Sequence, residues 1–285
     1  MQKTKLIFFG TSYISAFCLE SFIKDDFYDL AFCVTKKGSY LNRYCARKNI
    51  KCLEIECINQ DTYKKVQEIE PDLFAVVDFG FILKEDFFAI PKKGAYNLHF
   101  SLLPLYRGAS PVQSAIYDGV ETSGVSVIEI IKELDAGAVI AQKKVSIKDL
   151  RADKTFEEML KVGAPLFAES LKDPQVLFWQ DESQATFCHK IKKQDGKIDI
   201  EQDSAELALR KINAFYPWPG VFLFDQNLGR IKLHRAELSD KKGRGFFKNQ
   251  NELYLGFGEN SLKILEIQRE GKKAMSGQDF SKGLR

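Results

Sequence analysis

The sequence predicts an α/β protein: a Rossmann-like open sheet in an N-terminal domain, followed by a small C-terminal OB-like β-barrel domain. Three observations lead there. Apolar strand-like runs alternate with amphipathic helical stretches through most of the chain, the pattern of a sheet covered by helices. Beyond Gly220 short alternating segments separated by glycine-containing turns take over, as in a small barrel. At 285 residues the chain exceeds one typical domain, so one large and one small domain is the natural division. The expected boundaries are 1–185 for the large domain, 186–203 for a polar linker and 204–285 for the small domain.

Residues 6–9 form a short apolar strand ending at Gly10-Thr11-Ser12, and 14–23 a helix with Ile14, Phe17, Cys18, Ser21 and Phe22 on one face. A strand at 30–34 completes a β-α-β opening. No Gly-x-Gly-x-x-Gly follows the first strand and no Walker-type Gly-Lys-Ser/Thr occurs, so dinucleotide binding is disfavoured. A helix is expected at 41–48, a strand at 51–55 and a helix at 62–69, broken by Pro71-Asp72 before the strong strand Leu73–Val77. That strand runs into Asp78-Phe79-Gly80-Phe81-Ile82-Leu83. Ligands of open α/β sheets sit outside the carboxyl ends of the strands, so this loop and the one at 100–104 are expected to wall one pocket. Core packing is the plain alternative for Phe79 and Phe81. A helix opens at Ser110 with Pro111 in its first turn. Strands at 122–131 and 139–145 flank the turn Leu134-Asp135-Ala136-Gly137-Ala138. The helix at 155–171 is expected to kink or split at Pro165. A capped helix at 204–214 leads to Phe215-Tyr216-Pro217-Trp218-Pro219-Gly220, and the barrel strands are 221–224, 231–236, 253–257 and 262–267.

Composition excludes several classes. Hydrophobic residues make up 45% and charged residues 28%, the balance of an ordinary globular protein. No apolar run approaches the roughly 20 residues of a membrane span, and the N-terminal apolar run is too short for a secretory signal, so a cytoplasmic protein is expected. Cys18, Cys33, Cys45, Cys52, Cys57 and Cys188 contain no Cys-x-x-Cys pair and read as reduced, mostly buried thiols. His99, His189 and His234 match no metal-ligand spacing, so no metal is expected. Residues 204–285 hold 15 Lys/Arg against 9 Asp/Glu, while the preceding residues hold 27 against 30. A basic module suggests a polyanionic partner, with a solvated surface as the alternative. A second basic cluster, Lys36, Lys37, Arg43, Arg47, Lys48 and Lys51 with Tyr40 and Tyr44 interleaved, either grips phosphates or forms a solvated helix face.

The stretch from Asn97 to Gly108 draws the chemistry together. Asn97 and His99 alternate with Tyr96, Leu98 and Phe100, so both point to one face of a strand that Ser101-Leu102-Leu103-Pro104 ends. An amide and an imidazole on one face can bind and protonate a carbonyl oxygen. Read from these residues alone, a strand-end histidine bonded to backbone is the commoner outcome.

The pattern Asn97-x-His99-x-Ser101-Leu102-Leu103-Pro104-x-x-Arg107-Gly108-x-x-Pro111, followed by Leu134-Asp135-x-Gly137, resembles the formyltetrahydrofolate-dependent formyltransferases. Phe215–Gly220 and Gly271-Lys272-Lys273-Ala274-Met275-Ser276-x-Gln278-Asp279 are similar to the branch of that family acting on methionyl-tRNA, and the resemblance covers nearly the whole chain. It implies catalysis by Asn97, His99 and Asp135. Folate binding is implied for Ser101, Leu102, Leu103 and Pro104, with Phe79, Gly80, Phe81, Ile82 and Leu83 as a second wall. The resemblance further implies tRNA contacts from Lys36, Lys37, Arg43, Lys272 and Lys273, 10-formyltetrahydrofolate as donor co-substrate, initiator methionyl-tRNA as acceptor, no metal, and a monomer. The chain departs from the family at Ser12 (usually Pro), Asp78-Phe79 (usually Ala-Tyr), Phe100 (usually small) and Ala138 (usually Asp), and its 36–40 turn is shorter.

The implied chemistry is consistent with the residue types. Amine attack on a formyl carbon produces an oxyanion that needs donors already in place, which Asn97 and a protonated His99 supply. Asp135 either takes the amine proton through water or holds His99 in its charged form. Two alternatives remain: a formyltransferase acting on a nucleotide-linked amino sugar, and a non-catalytic folate- or RNA-binding protein. The intact Asn97, His99 and Asp135 argue against the second.

Overall fold

The computed structural model describes residues 3–283, and its first strand decides the layering. In β1 (Thr4–Gly10) successive side chains face opposite ways. Phe8 meets Phe22 of α1 (Tyr13–Ile23) with ring centroids 5.8 Å apart, and Phe22 meets Phe167 at 5.4 Å. Phe9 turns to the other face, onto Phe74 at 4.8 Å and Phe87 at 5.9 Å. Tilted and edge-on ring pairs of this kind add to the area they bury. A single strand thus organises both apolar layers.

There follow β2 (Tyr28–Lys36), α2 (Tyr40–Lys48), β3 (Cys52–Ile55), α3 (Gln60–Gln67), β4 (Leu73–Val77), the short α4 (Glu85–Phe88), β5 (Ala95–His99), β6 (Arg107–Gly108) and α5 (Pro111–Asp118). With β7 (Thr122–Glu129) and β8 (Val139–Ser146) they complete a seven-stranded sheet of order β3-β2-β1-β4-β5-β7-β8. β4 is buried at every position, as a strand covered on both faces should be. β1 runs parallel to β2 and β4, and β4 to β5, whereas β5 and β7 are antiparallel. Strand order reverses between β1 and β4, so the loops leaving β1, β4 and β5 open where such sheets bind ligands. A close approach locks this point. Ser15 Oγ donates to the Val77 carbonyl at 2.7 Å and accepts the Thr11 N–H at 2.9 Å. A Cβ on Gly10 would lie 2.3 Å from Ser15 Cβ, so the residue must be glycine.

α6 (Ala152–Ser170) passes through Pro165 as one helix and is not split there. The carbonyl that loses its partner belongs to Lys161, an exposed residue. Next come β9 (Phe187–Cys188) and α7 (Ala205–Ala214). The chain forms two compact units that interleave in sequence. One takes the chain to Gly108 together with Ser123–Ser146 and Glu157–Phe187; the other takes Ala109–Thr122, Ile147–Phe156 and the chain from Cys188 onward.

In the second unit Tyr117 of α5 stacks on Phe215 after α7 at 5.8 Å, and Arg210 donates to the Asp118 carbonyl at 3.0 Å. β10 (Val221–Asp225), β11 (Gly229–Ser239), β12 (Gly243–Asn249), β13 (Glu252–Gly258) and β14 (Ser261–Arg269) form an antiparallel sheet of order β10-β11-β14-β13-β12. β15 (Met275–Ser276) pairs with β14, and α8 (Gly277–Lys282) packs on β13 and β14. Among the described residues no pairing closes β10 onto β12, so the OB-like module is an open half-barrel. β12 lacks the alternation by which a strand is read from sequence. Its pairing with β13 makes it one, with Phe247 stacked on Tyr254 at 5.3 Å.

Part of the segment expected as linker is docked on this unit. The Ile198 N–H donates to the Phe222 carbonyl at 2.8 Å, and the Lys211 ammonium donates to the Lys197 carbonyl at 3.0 Å and to Asp203 Oδ2 at 2.6 Å. Both members of this ion pair are largely buried. Lys211→Met therefore leaves the Asp203 carboxylate in place without its charge partner, and the expected cost is about 3–5 kcal/mol. The urea midpoint of unfolding reads this directly, and a variant midpoint equal to the wild type would refute the pairing.

Candidate active site

β5 presents Asn97 and His99 on one face, opposite Ile128 and Ser126 of β7. The His99 ring is only 6% exposed, and its nitrogens have different surroundings. Nε2 lies 3.0 Å from the Tyr106 carbonyl oxygen. A carbonyl only accepts, so Nε2 carries the hydrogen and Nδ1 is the nitrogen left for proton exchange. Nδ1 faces Asp135 Oδ2 at 3.6 Å, an electrostatic contact longer than a hydrogen bond. Asn97 is half-buried, and its carboxamide has no hydrogen-bond partner among the described residues, leaving its donors available. The structure therefore brings the three expected catalytic residues to one strand end, and His99 is bonded to backbone as well.

Asp135 sits in a tight turn with φ of 54°, a left-handed conformation that side chains other than glycine adopt at a cost. Its Oδ2 accepts the Gly108 N–H at 2.8 Å. Two residues on, a Cβ at Gly137 would lie 1.9 Å from the Glu129 carbonyl oxygen, so this turn packs against β7 only with glycine there. The strand-to-turn segment 104–107 is strapped from outside. Thr186 accepts the Tyr106 N–H on its hydroxyl and the Arg107 N–H on its carbonyl, both at 2.8 Å, and donates its own N–H to the Pro104 carbonyl at 3.2 Å. Arg107, 3% exposed, forms a two-pronged bridge to Glu182 at 2.9 and 2.8 Å.

The two loops expected to hold folate each divide into an inward and an outward half. Ser101 is fully buried and donates to the Leu105 carbonyl at 2.6 Å, and Leu103 is buried on Ile128 and Val139. Leu102 and Pro104 are half-buried, so they and the backbone form this loop's outward surface. Ser126 anchors it: its hydroxyl donates to the Ser101 carbonyl at 2.7 Å and accepts the Leu103 N–H at 3.1 Å. Gln142 adds bonds to the Leu103 carbonyl at 3.0 Å and the Ser126 hydroxyl at 2.9 Å. In the other loop Phe79, Phe81 and Leu83 pack against the core, with Phe79 at 5.3 Å from both Phe9 and Phe81. Gly80 and Ile82 are exposed, and the Gly80 N–H reaches Thr11 Oγ1 at 3.4 Å. Ser126, Gln142 and Thr186 had not been singled out from sequence. The signal for Ser126 is a polar residue between two valines of a buried strand.

The basic residues divide between the units. Lys36, Lys37 and Arg43 are exposed around a short turn in the first; Lys37 lies 3.7 Å from Glu56, and Arg43 donates to the Gly38 carbonyl at 2.6 Å. Lys272 and Lys273 are exposed between β14 and β15 in the second. A cavity of about 570 Å³, lined by Lys5, Tyr28, Asp29, Lys51 and Glu68, opens at the amino ends of the strands, away from the histidine. Among the described residues no group of three or more His, Cys, Asp or Glu is arranged to hold a metal, the six cysteines are free thiols, and no helix is long and apolar enough to cross a membrane.

Two family profiles match the chain: Formyl transferase over residues 36–165, and Formyl transferase, C-terminal domain, over residues 190–285. The chain is 31% identical over 297 residues to a methionyl-tRNA formyltransferase of Pelagibacter ubique, covering 98% of this chain and 95% of the relative. It is 33% identical over 300 residues to one of Thermotoga maritima, with the same coverage of 98% and 95%. Among solved structures it superposes on a methionyl-tRNA formyltransferase from Clostridium thermocellum with a TM-score of 0.62, 18% identity, and coverage of 85% of this chain and 96% of that one. It also superposes on WlaRD, a sugar 3N-formyl transferase crystallised in the presence of dTDP and 5-N-formyl-THF, with a TM-score of 0.69, 19% identity, and coverage of 96% and 100%.

The electrostatics beside the Asp135 turn are testable at Glu182, whose carboxyl group the Arg107 guanidinium holds below its ordinary range. The folded value is the lower one, so the bridge contributes fully above the ordinary carboxylate range and is lost as pH falls through the folded value. The Arg107 Nη–H groups that donate to Glu182 are expected to be protected from exchange near neutrality, relative to a free guanidinium, and to lose that protection as pH falls below the ordinary carboxylate range. Glu182→Gln should reduce the protection already at neutral pH. Protection that acid leaves unchanged in the wild type would refute the bridge.

Proposed function

The chain belongs to the methionyl-tRNA formyltransferase family, and from that premise we propose that it transfers the formyl group of 10-formyltetrahydrofolate to the amino group of methionyl initiator tRNA. The observation that carries this reading is the meeting of Asn97, His99 and Asp135 at one strand end, in a chain matched along nearly its whole length by methionyl-tRNA formyltransferases.

In the proposed reaction the amine lone pair bonds to the formyl carbon, and the carbonyl electron pair moves onto oxygen. Asn97 donates to that oxyanion from a position held by the sheet. His99 Nδ1 takes a proton from the attacking nitrogen and returns it to folate N10 as the carbon–N10 bond breaks, so the net change moves one proton from amine to N10. Asp135 steadies the imidazolium. Its Oδ2 already accepts the Gly108 N–H and lies 3.6 Å from Nδ1, an arrangement that supports charge stabilisation over a separate role as base. The folate lies against the outward halves of the 100–104 and 78–83 loops, with Ser101 and Leu103 supporting from beneath. Lys36, Lys37, Arg43, Lys272 and Lys273 contact tRNA phosphates, and the enzyme acts in the cytoplasm as a monomer.

The sugar acceptor is the weaker reading: the sugar formyltransferase structure is related at 19% identity, a likeness of fold alone, whereas the relatives above 30% carry the tRNA name. The deciding experiment offers the purified protein formyltetrahydrofolate with charged initiator tRNA or with amino-sugar nucleotides. Turnover is expected on the tRNA, and Asn97→Ala should lower kcat by about 10²–10³-fold. Turnover confined to a sugar would overturn the assignment. Reversing the charge at Lys272 and Lys273 should raise the KM for tRNA and flatten its dependence on salt, since fewer counterions are released, while the folate KM stays put. An unchanged tRNA KM would remove these lysines from the interface.

A further inference from the structure

Gln180 lies at the edge of the segment whose sequence reads as a polar linker, yet its side chain is fully engaged. Its Nε2 donates to the Asp135 carbonyl and to the Gly137 carbonyl, each at 2.8 Å. Its Oε1 accepts the Arg107 Nε–H at 2.9 Å. A primary amide has two N–H donors, and both are spent on the turn that carries the acid. Arg107 is fastened in turn by its two-pronged bridge to Glu182, and its chain neighbour Gly108 donates to Asp135 Oδ2 at 2.8 Å. The Arg107-Gly108 pair therefore holds Asp135 at both ends, through Gln180 at the backbone and directly at the carboxylate.

We propose that Gln180 is a positioning residue of formyl transfer, clamping the Asp135 turn so that its carboxylate stands within reach of His99 Nδ1. The proposal rests on the formyltransferase reading for its chemistry. The distance makes the clamp matter. At 3.6 Å the two groups are not hydrogen-bonded, whereas a charge-assisted bond needs about 2.7–2.9 Å. A displacement of less than an ångström decides between them. The turn also holds Asp135 in a left-handed conformation, which an unclamped chain has reason to leave. Two carbonyls converging on one amide resist that relaxation.

The test uses the full chain with Gln180→Glu and Gln180→Met. The glutamate keeps the shape and an acceptor for Arg107 but removes both donors to the turn; the methionine removes all three bonds at similar length. In folded protein each is expected to lower kcat by about 10- to 100-fold, with the KM for the folate donor within about twofold of wild type. The backbone amide resonance of Gly108, which reports the Asp135 carboxylate it binds, should move in both variants without any substrate present. Wild-type kcat in a folded variant would overturn the proposal, as would a Gly108 resonance unmoved in both. Should the methionine variant fail to fold, the glutamate variant carries both readouts. Absence of turnover by the wild type would instead defeat the formyl-transfer reading, and the Gly108 resonance would still judge the clamp.

Discussion

His99 has two ring nitrogens, and the Tyr106 carbonyl occupies one of them. Because that partner can only accept, the hydrogen on Nε2 is committed to structure and the ring cannot rotate without losing it. Nδ1 is thereby turned toward Asp135 and is the ring nitrogen left without a hydrogen in the neutral ring. The arrangement depends on Tyr106 holding a left-handed backbone with φ of 59°, which returns its carbonyl toward the strand it has just left. Thr186 keeps it there by taking the Tyr106 N–H on its hydroxyl. What looks like a catalytic side chain on a strand is thus the product of a turn and a strap. Three separate stretches of chain must be in place before the imidazole has a defined orientation.

The sheet supplies the rest of the geometry. Reversal of strand order between β1 and β4 opens the carboxyl ends of the strands, and the Phe8 and Phe9 side chains tie that point to the packing on both faces. Ser15 then joins the ends of β1 and β4 through a single hydroxyl. Ser126 and Gln142 do the same for the loop after β5, satisfying backbone groups that have no ladder partner once Pro104 ends the strand. Small polar side chains at these positions spare buried amides and carbonyls the cost of going unpaired.

Much of this was legible before any coordinates. β4 reads as an apolar run with no polar interruption, and α7 follows the expected cap Ser204, whose hydroxyl accepts the Leu207 N–H at 3.1 Å. Asn97, His99 and Asp135 were legible as a set through the resemblance, since nothing local joins Asp135 to a strand 36 residues earlier. Other features left no readable trace. β12 has a glycine-arginine-glycine start and is a strand because β13 lies beside it. Pro165 signals a break that α6 does not show. The polar segment after Asp181 has the composition of a linker, but Thr186 straps the site and Lys211 buries its charge against Asp203. Composition reports average solvation, and these residues are exceptions because each has one specific partner far away in sequence.

The sequence by itself determined the strand and helix periodicities, the face shared by Asn97 and His99, and the places where glycine and proline interrupt. Those are local properties, set by the backbone and by the alternation of side chains within a few residues. Only the tertiary structure decided that Nδ1 rather than Nε2 faces the acid, that Ser101 and Leu103 turn inward beneath the loop, and that Gln180 and Arg107 hold the Asp135 turn. Each of these is a hydrogen bond or contact between segments far apart in the chain. Its existence depends on distances of a few ångströms that no local preference specifies.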